Sequence, residues 1–198
     1  APQVAEYALT ALLALAHRMP AVMKNQAKME WPNDRWTRFV PRELRGSTVG
    51  IIGYGSIGRE IARLLQPFGC TVLAAKRDVF HPEDAGYLPD GMGDPDGSLF
   101  TRLYPIEALA SMLKTCDFAV VCLPLTPKTR GLINEEILKS MKKGAFLVDV
   151  GRGGVVDAAA LQEALKDGYL AAVALDVFPE EPLPSGNPLW HLPESIIS

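Results

Sequence analysis

The sequence contains few cysteines, no long hydrophobic run and no excess of positive charge. Its three cysteines among 198 residues fit neither a CxxC motif nor the spacing of a metal site. We therefore expect reduced, buried thiols, no bound metal and a cytoplasmic location. Because no apolar run reaches the length of a bilayer span, no membrane partner is expected. The net charge of −3 leaves no basic surplus for nucleic acid.

What the sequence does contain is an alternation of short apolar runs and amphipathic stretches, which starts at Thr48. The solidly apolar runs predict strands that are covered on both faces, as in a parallel sheet. The predicted strands are Thr48–Ile52, Thr71–Ala75, Phe118–Leu123, Ala145–Val150, Leu170–Val177 and Ser195–Ile197. The predicted helices are Val4–His17, Ile57–Phe68, Ile106–Leu113, Asn134–Met141 and Ala158–Lys166. This order predicts an α/β protein with a Rossmann-type, doubly wound parallel sheet and helices on both of its faces.

Two stretches fall outside that alternation. Residues 1–45 combine the first helix with a mixed arm that carries Trp31, Trp36 and Phe39, whose rings need a surface to pack on. We interpret residues 1–45 as an interdomain or dimerisation unit and residues 46–198 as the dinucleotide-binding domain. Residues 82–102 are rich in glycine, proline and acidic residues, and we interpret them as a long surface loop without a function.

A glycine motif, Gly53-Tyr54-Gly55-Ser56-Ile57-Gly58, lies between the first strand of the alternation and the helix that follows it. That context makes the G-x-G-x-x-G pattern indicative of dinucleotide binding. Gly53 allows the tight turn, Gly55 lets a pyrophosphate approach the backbone, and Gly58 lets the helix pack close to the strand. The N–H groups around Ser56 and Ile57 would then face the anion at the positive end of the helix.

The choice of cofactor is read at the end of the second strand. Proteins that select NAD usually carry an acidic residue there, which binds the ribose hydroxyls. Here that position is occupied by Lys76, followed by Arg77, and both would attract a 2′-phosphate. We therefore favour NADP over NAD, although Asp78 could still serve NAD.

Three later segments each join a predicted strand to a loop: Val120–Thr129, Val148–Asp157 and Ala174–Leu183. With the glycine motif, they resemble the NAD(P)-binding domain of the D-isomer-specific 2-hydroxyacid dehydrogenase family over nearly the whole chain. The family's substrate domain has no counterpart in this sequence. The first helix and the tryptophan arm resemble the segment by which the family forms homodimers, which implies a homodimer here.

The resemblance also implies roles for individual residues. It makes Arg152 the catalytic arginine that holds the substrate carboxylate and carbonyl, and Glu181 the glutamate that pairs with a catalytic histidine. It places Asp176 at the nicotinamide amide. Further cofactor-lining positions that it implies are Leu123, Pro124, Thr129, Val150, Gly151 and Arg152 itself. A guanidinium group suits a 2-keto acid because it offers two coplanar donors to a carboxylate.

The family's histidine belongs to a Pro-His segment that would follow Ser198. We interpret the histidines that are present, His17, His81 and His191, as structural or surface residues. The predicted function is the cofactor domain of an NAD(P)-dependent oxidoreductase that acts on a small 2-keto or 2-hydroxy acid, such as glyoxylate or hydroxypyruvate. A nucleotide-sensing, corepressor-like protein on the same fold is the alternative, and a formate or phosphite dehydrogenase is a third option. The isolated chain is expected to bind cofactor but to turn over little substrate.

Overall fold

Seven parallel strands form one sheet in the order β3-β2-β1-β4-β5-β6-β7. This computed structural model describes residues 1–84, 86 and 89–198. The strands are β1 Thr48–Ile52, β2 Thr71–Lys76, β3 Arg102–Pro105, β4 Phe118–Val121, β5 Ala145–Asp149, β6 Leu170–Leu175 and β7 Ser195–Ile197. The central strands β4 and β5 are buried along their whole length, which explains why their sequences are apolar without alternation.

Helices cover both faces of this sheet. The α-helices are α1 Pro2–Ala16, α2 Met19–Ala27, α3 Arg35–Arg38, α4 Ser56–Leu65, α5 Leu109–Leu113, α6 Glu135–Ser140 and α7 Ala158–Lys166. Helices α1 and α4 pack with one face of the sheet, and α5, α6 and α7 pack with the other. The predicted doubly wound architecture is therefore confirmed. Within the described residues, no helix has both the length and the apolar character of a membrane span.

Helix α1 is built into the core of the sheet domain. One side of it is apolar and lies against α4 and β5, with Ala5, Ala8, Leu12 and Leu15 fully buried. On the same face, the rings of Phe118 in β4 and Phe146 in β5 stack with their centroids 5.0 Å apart. The division of the chain at residue 45 stays a prediction, although the packing joins α1 closely to the sheet.

Three elements, β3, α2 and α3, were not foreseen. Strand β3 pairs in parallel with β2 at the edge of the sheet, where the sequence suggested only the end of a loop. With four residues, the strand is too short and too exposed to produce an apolar pattern in the sequence. It ends at Pro105, before a 3-10 turn at Ile106–Ala108. Helix α2 starts at Met19 because Pro20 occupies its first turn. Proline is tolerated there, since the N–H groups of the first turn have no partner within the helix.

The arm that follows α2 carries an exposed apolar surface. Trp31 and Trp36 are 77% and 76% exposed, and the Arg35 guanidinium group lies over both rings, 4.4 and 4.0 Å from their centroids. Aromatic rings this exposed are unusual on a surface that meets only water. Association of two copies through this arm remains a prediction.

Candidate functional site

All the predicted site residues lie at or beyond the carboxyl ends of strands. We call this end of the sheet the cofactor edge. Because every strand is parallel, their carboxyl ends lie together. From β1 the chain proceeds outward through β2 and β3, then returns to β4 on the other side of β1. The crevice where strand order reverses in this way is the usual ligand site of open α/β sheets. The site can therefore be described strand by strand, from the glycine motif outward.

The glycine motif has the geometry that its sequence predicts. Gly53 adopts φ +107°, a conformation that side chains disfavour, and its N–H and that of Tyr54 both donate to the Ala75 carbonyl. A Cβ atom at Gly58 would lie 2.3 Å from the Gly53 oxygen, whereas one at Gly55 would meet no atom within 4 Å. The first and third glycines therefore allow close packing, and Gly55 leaves open space beside the backbone.

That open space adjoins the first turn of α4. Gly55 is the N-cap of α4, and its carbonyl accepts the first helical hydrogen bond from the Arg59 N–H at 2.9 Å. Ser56 is exposed and Ile57 half-buried, so the start of the helix faces solvent. Unpaired N–H groups and the helix dipole make such a terminus attractive to an anion. The residues present therefore fit a pyrophosphate group.

After β2 the chain makes a small polar loop. The half-buried Lys76 donates from Nζ to the His81 carbonyl oxygen, while Arg77 is exposed. Asp78 lies 2.8 Å from His81 Nδ1, and this contact lowers the pKa of Asp78 and raises that of His81. Arg77 is thus the cation that remains available, since the Lys76 ammonium group and the Asp78 carboxylate already have partners within the loop.

The loop after β4 holds three of the predicted cofactor-lining residues. Leu123 is buried and Pro124 is exposed. The Thr129 hydroxyl donates to the Pro124 carbonyl at 2.6 Å and accepts from the Thr126 N–H at 2.8 Å. Thr129 therefore closes the loop on itself and fixes its shape at the crevice.

The loop after β5 carries Arg152. Val150 and Gly151 are buried, whereas Arg152 is exposed and its Nη1 bonds only to the preceding carbonyl, of Gly151, at 2.8 Å. The Arg152 guanidinium group has no carboxylate partner within the described part of the chain. It is therefore free to receive an anionic ligand.

The loops after β5 and β6 contact each other directly. A Cβ atom at Gly153 would fall 1.9 Å from the Phe178 carbonyl group, so the two backbones touch. In the second loop, Glu181 Oε1 accepts the Phe178 N–H at 2.9 Å, which makes Glu181 rather than Glu180 the carboxylate that shapes the loop. The structure thus brings the Arg152 and Glu181 loops together, and the roles of both side chains stay predictions.

Asp176 lies at the start of that loop, half-buried. Its Oδ1 atom accepts from the Ser198 hydroxyl at 3.0 Å, and the Ser198 oxygen is also 2.6 Å from the Tyr7 hydroxyl of α1. The end of β7 and the first helix therefore fix the Asp176 side chain.

The other candidate groups lie apart from this edge or outside its chemistry. His17 is exposed at the end of α1, and His191 is exposed in a 3-10 turn that precedes β7. The three cysteines are free thiols, Cys116 buried and Cys70 and Cys122 half-buried. No group of three or more His, Cys, Asp or Glu residues that could hold a metal occurs in the described residues.

One residue of the site was missed at the sequence level. Asp149, the last residue of β5, is 3% exposed, and its Oδ1 accepts the Gly151 N–H at 3.0 Å. Burial and, to a lesser degree, the charge of Asp176 raise the pKa of Asp149 to about 7, against the opposing effect of the Gly151 hydrogen bond. The available signal was an acidic residue at the end of an apolar strand, Ala145–Asp149.

The fold and this edge define the class: an α/β domain of parallel strands with a glycine motif of the dinucleotide-binding type at their carboxyl ends. The model of the family described as "D-isomer specific 2-hydroxyacid dehydrogenase, NAD binding domain" matches residues 9–198. The chain belongs to this family, as the sequence resemblance predicted.

Known relatives agree with this membership. The chain is 38% identical to D-3-phosphoglycerate dehydrogenase from Methanocaldococcus jannaschii over 96% of its length, and 38% identical to glyoxylate reductase from Thermococcus kodakarensis over 90%. It spans 33% and 50% of those two proteins. It is also similar to a solved D-isomer specific 2-hydroxyacid dehydrogenase from Xanthobacter autotrophicus Py2, in complex with NADPH and MES, with TM-score 0.78, 33% identity, and coverage of 98% of this chain and 72% of that one.

The raised pKa of Asp149 predicts a pH-dependent stability. The unfolded Asp149 carboxyl ionises near 3.8 and the folded one near 7, so its contribution is fully present below pH 3.8 and declines as pH rises through 7. Asp149→Asn keeps a hydrogen-bond acceptor without the charge. We expect it to be more stable than the wild type at pH 8, by about 2 to 4 kcal/mol beyond any difference at pH 4.

Urea unfolding at both pH values measures this difference. Asp96→Asn, which alters an exposed carboxylate, serves as the control and should show no such pH-dependent gain. A gain of the same size at both pH values in the Asp149→Asn variant would contradict the proposed titration.

Proposed function

We propose that this chain is the cofactor domain of a 2-hydroxyacid dehydrogenase and binds the pyrophosphate of a nicotinamide dinucleotide at the glycine motif. The observation that carries the proposal is the open space at Gly55 beside the exposed start of α4, between two glycines that are packed tightly. A dinucleotide needs this combination, because its phosphates must approach backbone N–H groups closely.

A side chain at Gly55 should abolish this binding without unfolding the chain. Gly55 has extended backbone and free space around its Cβ position, so Gly55→Val fits the fold but fills the place of the phosphates. We expect at least a 100-fold rise in the Kd for NADPH and NADH, measured by cofactor fluorescence. The matched control is Gly186→Val, which also enters open space, in a loop away from the glycine motif. Equal binding by the two variants would contradict the proposal.

The finer choice of cofactor rests on Arg77. This guanidinium group is exposed directly after β2, where the adenosine ribose would lie, and the nearest acidic candidate, Asp78, is bound to His81. A 2′-phosphate would gain a charge-assisted contact here, whereas the Asp78 carboxylate that could bind a ribose hydroxyl is already engaged by His81. We therefore favour NADP on the position of Arg77, since solved relatives are bound to NADPH in one case and to NAD in another.

Removing Arg77 should affect the two cofactors differently. A charge-assisted hydrogen bond contributes about 1.5 to 3 kcal/mol, so Arg77→Ala should weaken NADPH binding by roughly tenfold or more. NADH binding should change less than about twofold, which makes NADH the internal control. Titration of the wild type and the variant with both cofactors gives the four dissociation constants. Tighter binding of NADH than of NADPH by the wild type would contradict the NADP preference.

The reaction that we propose is hydride transfer between the nicotinamide and a small 2-keto or 2-hydroxy acid, such as glyoxylate or hydroxypyruvate. The cofactor supplies or accepts the hydride. The unpaired Arg152 guanidinium group would bind the substrate carboxylate and orient the keto oxygen. Glu181, in the loop that touches the Arg152 loop, would raise the pKa of a histidine that donates the proton. Asp176 would accept from the nicotinamide amide.

Substitution of Arg152 by lysine should separate charge from geometry. Arg152→Lys keeps a cation but loses the two coplanar donors, so in the full-length protein we expect glyoxylate kcat/KM to fall about 100-fold. Cofactor affinity should change little. Arg45→Lys, at an exposed position before β1, is the matched control. Formate and hydroxypyruvate are tested beside glyoxylate, and unchanged keto-acid reduction by Arg152→Lys would remove Arg152 from the mechanism.

A further inference from the structure

Helix α4 has charged side chains that are buried, although nothing in the proposed reaction uses them. Arg59 and Glu60 directly follow the glycine motif and are only 1% and 8% exposed. The chain that covers them comes from the connection between β2 and β3, and we call residues 82–84 and 93–99 the clamped segment. This connection was predicted to be a long surface loop without a function. Its described residues do lie mostly at the surface, but the clamped segment is also held by buried polar contacts.

Arg59 makes most of these contacts. Its guanidinium group donates to three backbone carbonyls of the clamped segment, and Nε lies 3.4 Å from a carboxylate. The carbonyls are those of Asp94 and Pro82, both at 2.5 Å, and Glu83, at 3.1 Å. A buried charge is costly unless it is satisfied in this way. Arg59 therefore holds the start of the segment and its middle at one point of α4.

Asp94 connects the clamped segment to the glycine motif. It is 2% exposed, and its carboxylate accepts the Tyr54 hydroxyl at 2.7 Å and the N–H groups of Ser98 and Leu99 at 2.9 and 3.0 Å. Tyr54 lies between the first two glycines of the motif and is itself 2% exposed. The Arg59 guanidinium group lies 4.9 Å from the centroid of the Tyr54 ring. The turn that would receive the phosphates is thus tied to the segment by a buried side chain.

The same segment also limits the position of residues 77–81, which follow β2 and which we call the ribose loop. Pro82 follows Lys76 by six residues, and within that stretch Lys76 and Asp78 already bond to His81. A chain this short, fixed at β2 on one side and at Arg59 on the other, has little freedom. The position of Arg77 therefore depends on the Arg59 contacts.

We propose that Arg59 and Asp94 are positioning residues of the cofactor site: Arg59 fixes the ribose loop and so the discrimination of the 2′-phosphate, and Asp94 fixes the phosphate turn through Tyr54. The inference rests on the proposed cofactor binding. Arg59 acts through the chain that carries Arg77, and Asp94 acts through Tyr54 on the turn between Gly53 and Gly55. Loss of the Asp94 contact should therefore lower the affinity for every cofactor, whereas loss of the Arg59 contacts should lower the selectivity for the 2′-phosphate.

Two mild variants distinguish the role of Asp94 from that of Arg59. Tyr54→Phe removes one hydroxyl from the phosphate turn and keeps the ring, so NADPH, NADH and ADP should all bind about three- to tenfold more weakly. Asp84→Asn removes the ion pair with Arg59 at a partly exposed position. It should reduce the ratio of the NADH and NADPH dissociation constants at least threefold, with little effect on ADP. Arg59→Lys, which loses the planar fork, should reduce that ratio further.

Arg63→Gln is the matched control. Arg63 also lies on α4 and donates to the clamped segment, from Nε to the Gly93 carbonyl at 2.6 Å, but it reaches neither Tyr54 nor residues 82–84. It should lower the melting temperature without changing the ratio. If Tyr54→Phe and Asp84→Asn fold and bind like the wild type, or if Arg63→Gln changes the ratio equally, the inference is overturned. Failure of the wild type to bind any of the three ligands would instead overturn the proposed function, and the inference with it.

Discussion

The close approach of α4 to the end of β1 is the constraint on which the rest of the cofactor edge depends. It exists because residue 58 is glycine: any Cβ atom there would lie 2.3 Å from the Gly53 oxygen and push the helix away. With the helix this close, its first turn opens directly at the carboxyl edge of the sheet, beside Gly55. The same approach brings Tyr54 and Arg59 near enough for both to bind Asp94, Tyr54 at the carboxylate and Arg59 at the backbone carbonyl. The open phosphate site and the buried contacts of Asp94 that support it thus both depend on the absence of a side chain at Gly58.

A similar constraint operates on the other half of the crevice. There, the loops after β5 and β6 touch backbone to backbone at Gly153 and Phe178, and Gly151 packs closely on the Leu123 carbonyl. Backbone contacts of this kind fix the loops, and local hydrogen bonds add to them: Glu181 accepts the Phe178 N–H, and Arg152 donates to the Gly151 carbonyl. Arg152 and Glu181 can therefore be exposed and yet occupy defined places, which is what a site for a small charged substrate requires.

The sequence predicted those features whose physical cause is local. Six strands, the glycine motif and the Arg152 loop each depend on a short run of residues with a distinct pattern. Strand β3 was missed because a four-residue, half-exposed edge strand has no pattern of its own. The burial of Arg59 was missed because it depends on residues 23 to 35 positions further along the chain. Asp149 was missed for a related reason: only the packed strands around it show that its carboxyl is cut off from water.

The two halves of the edge are held by different kinds of interaction, and this difference has a consequence. On the adenosine side, the buried Arg59 guanidinium group holds the clamped segment to α4, and the buried Asp94 carboxylate holds the turn at Tyr54. Each of these charges would be costly to leave unpaired. On the side of Arg152, short hydrogen-bonded loops hold exposed groups, and the buried Asp149 at the end of β5 has a pKa of about 7. A change in pH near neutrality therefore acts first on the loop that carries Arg152, through the Gly151 hydrogen bond, while the phosphate turn keeps its support. The two halves of the cofactor edge should for that reason respond to pH through separate groups.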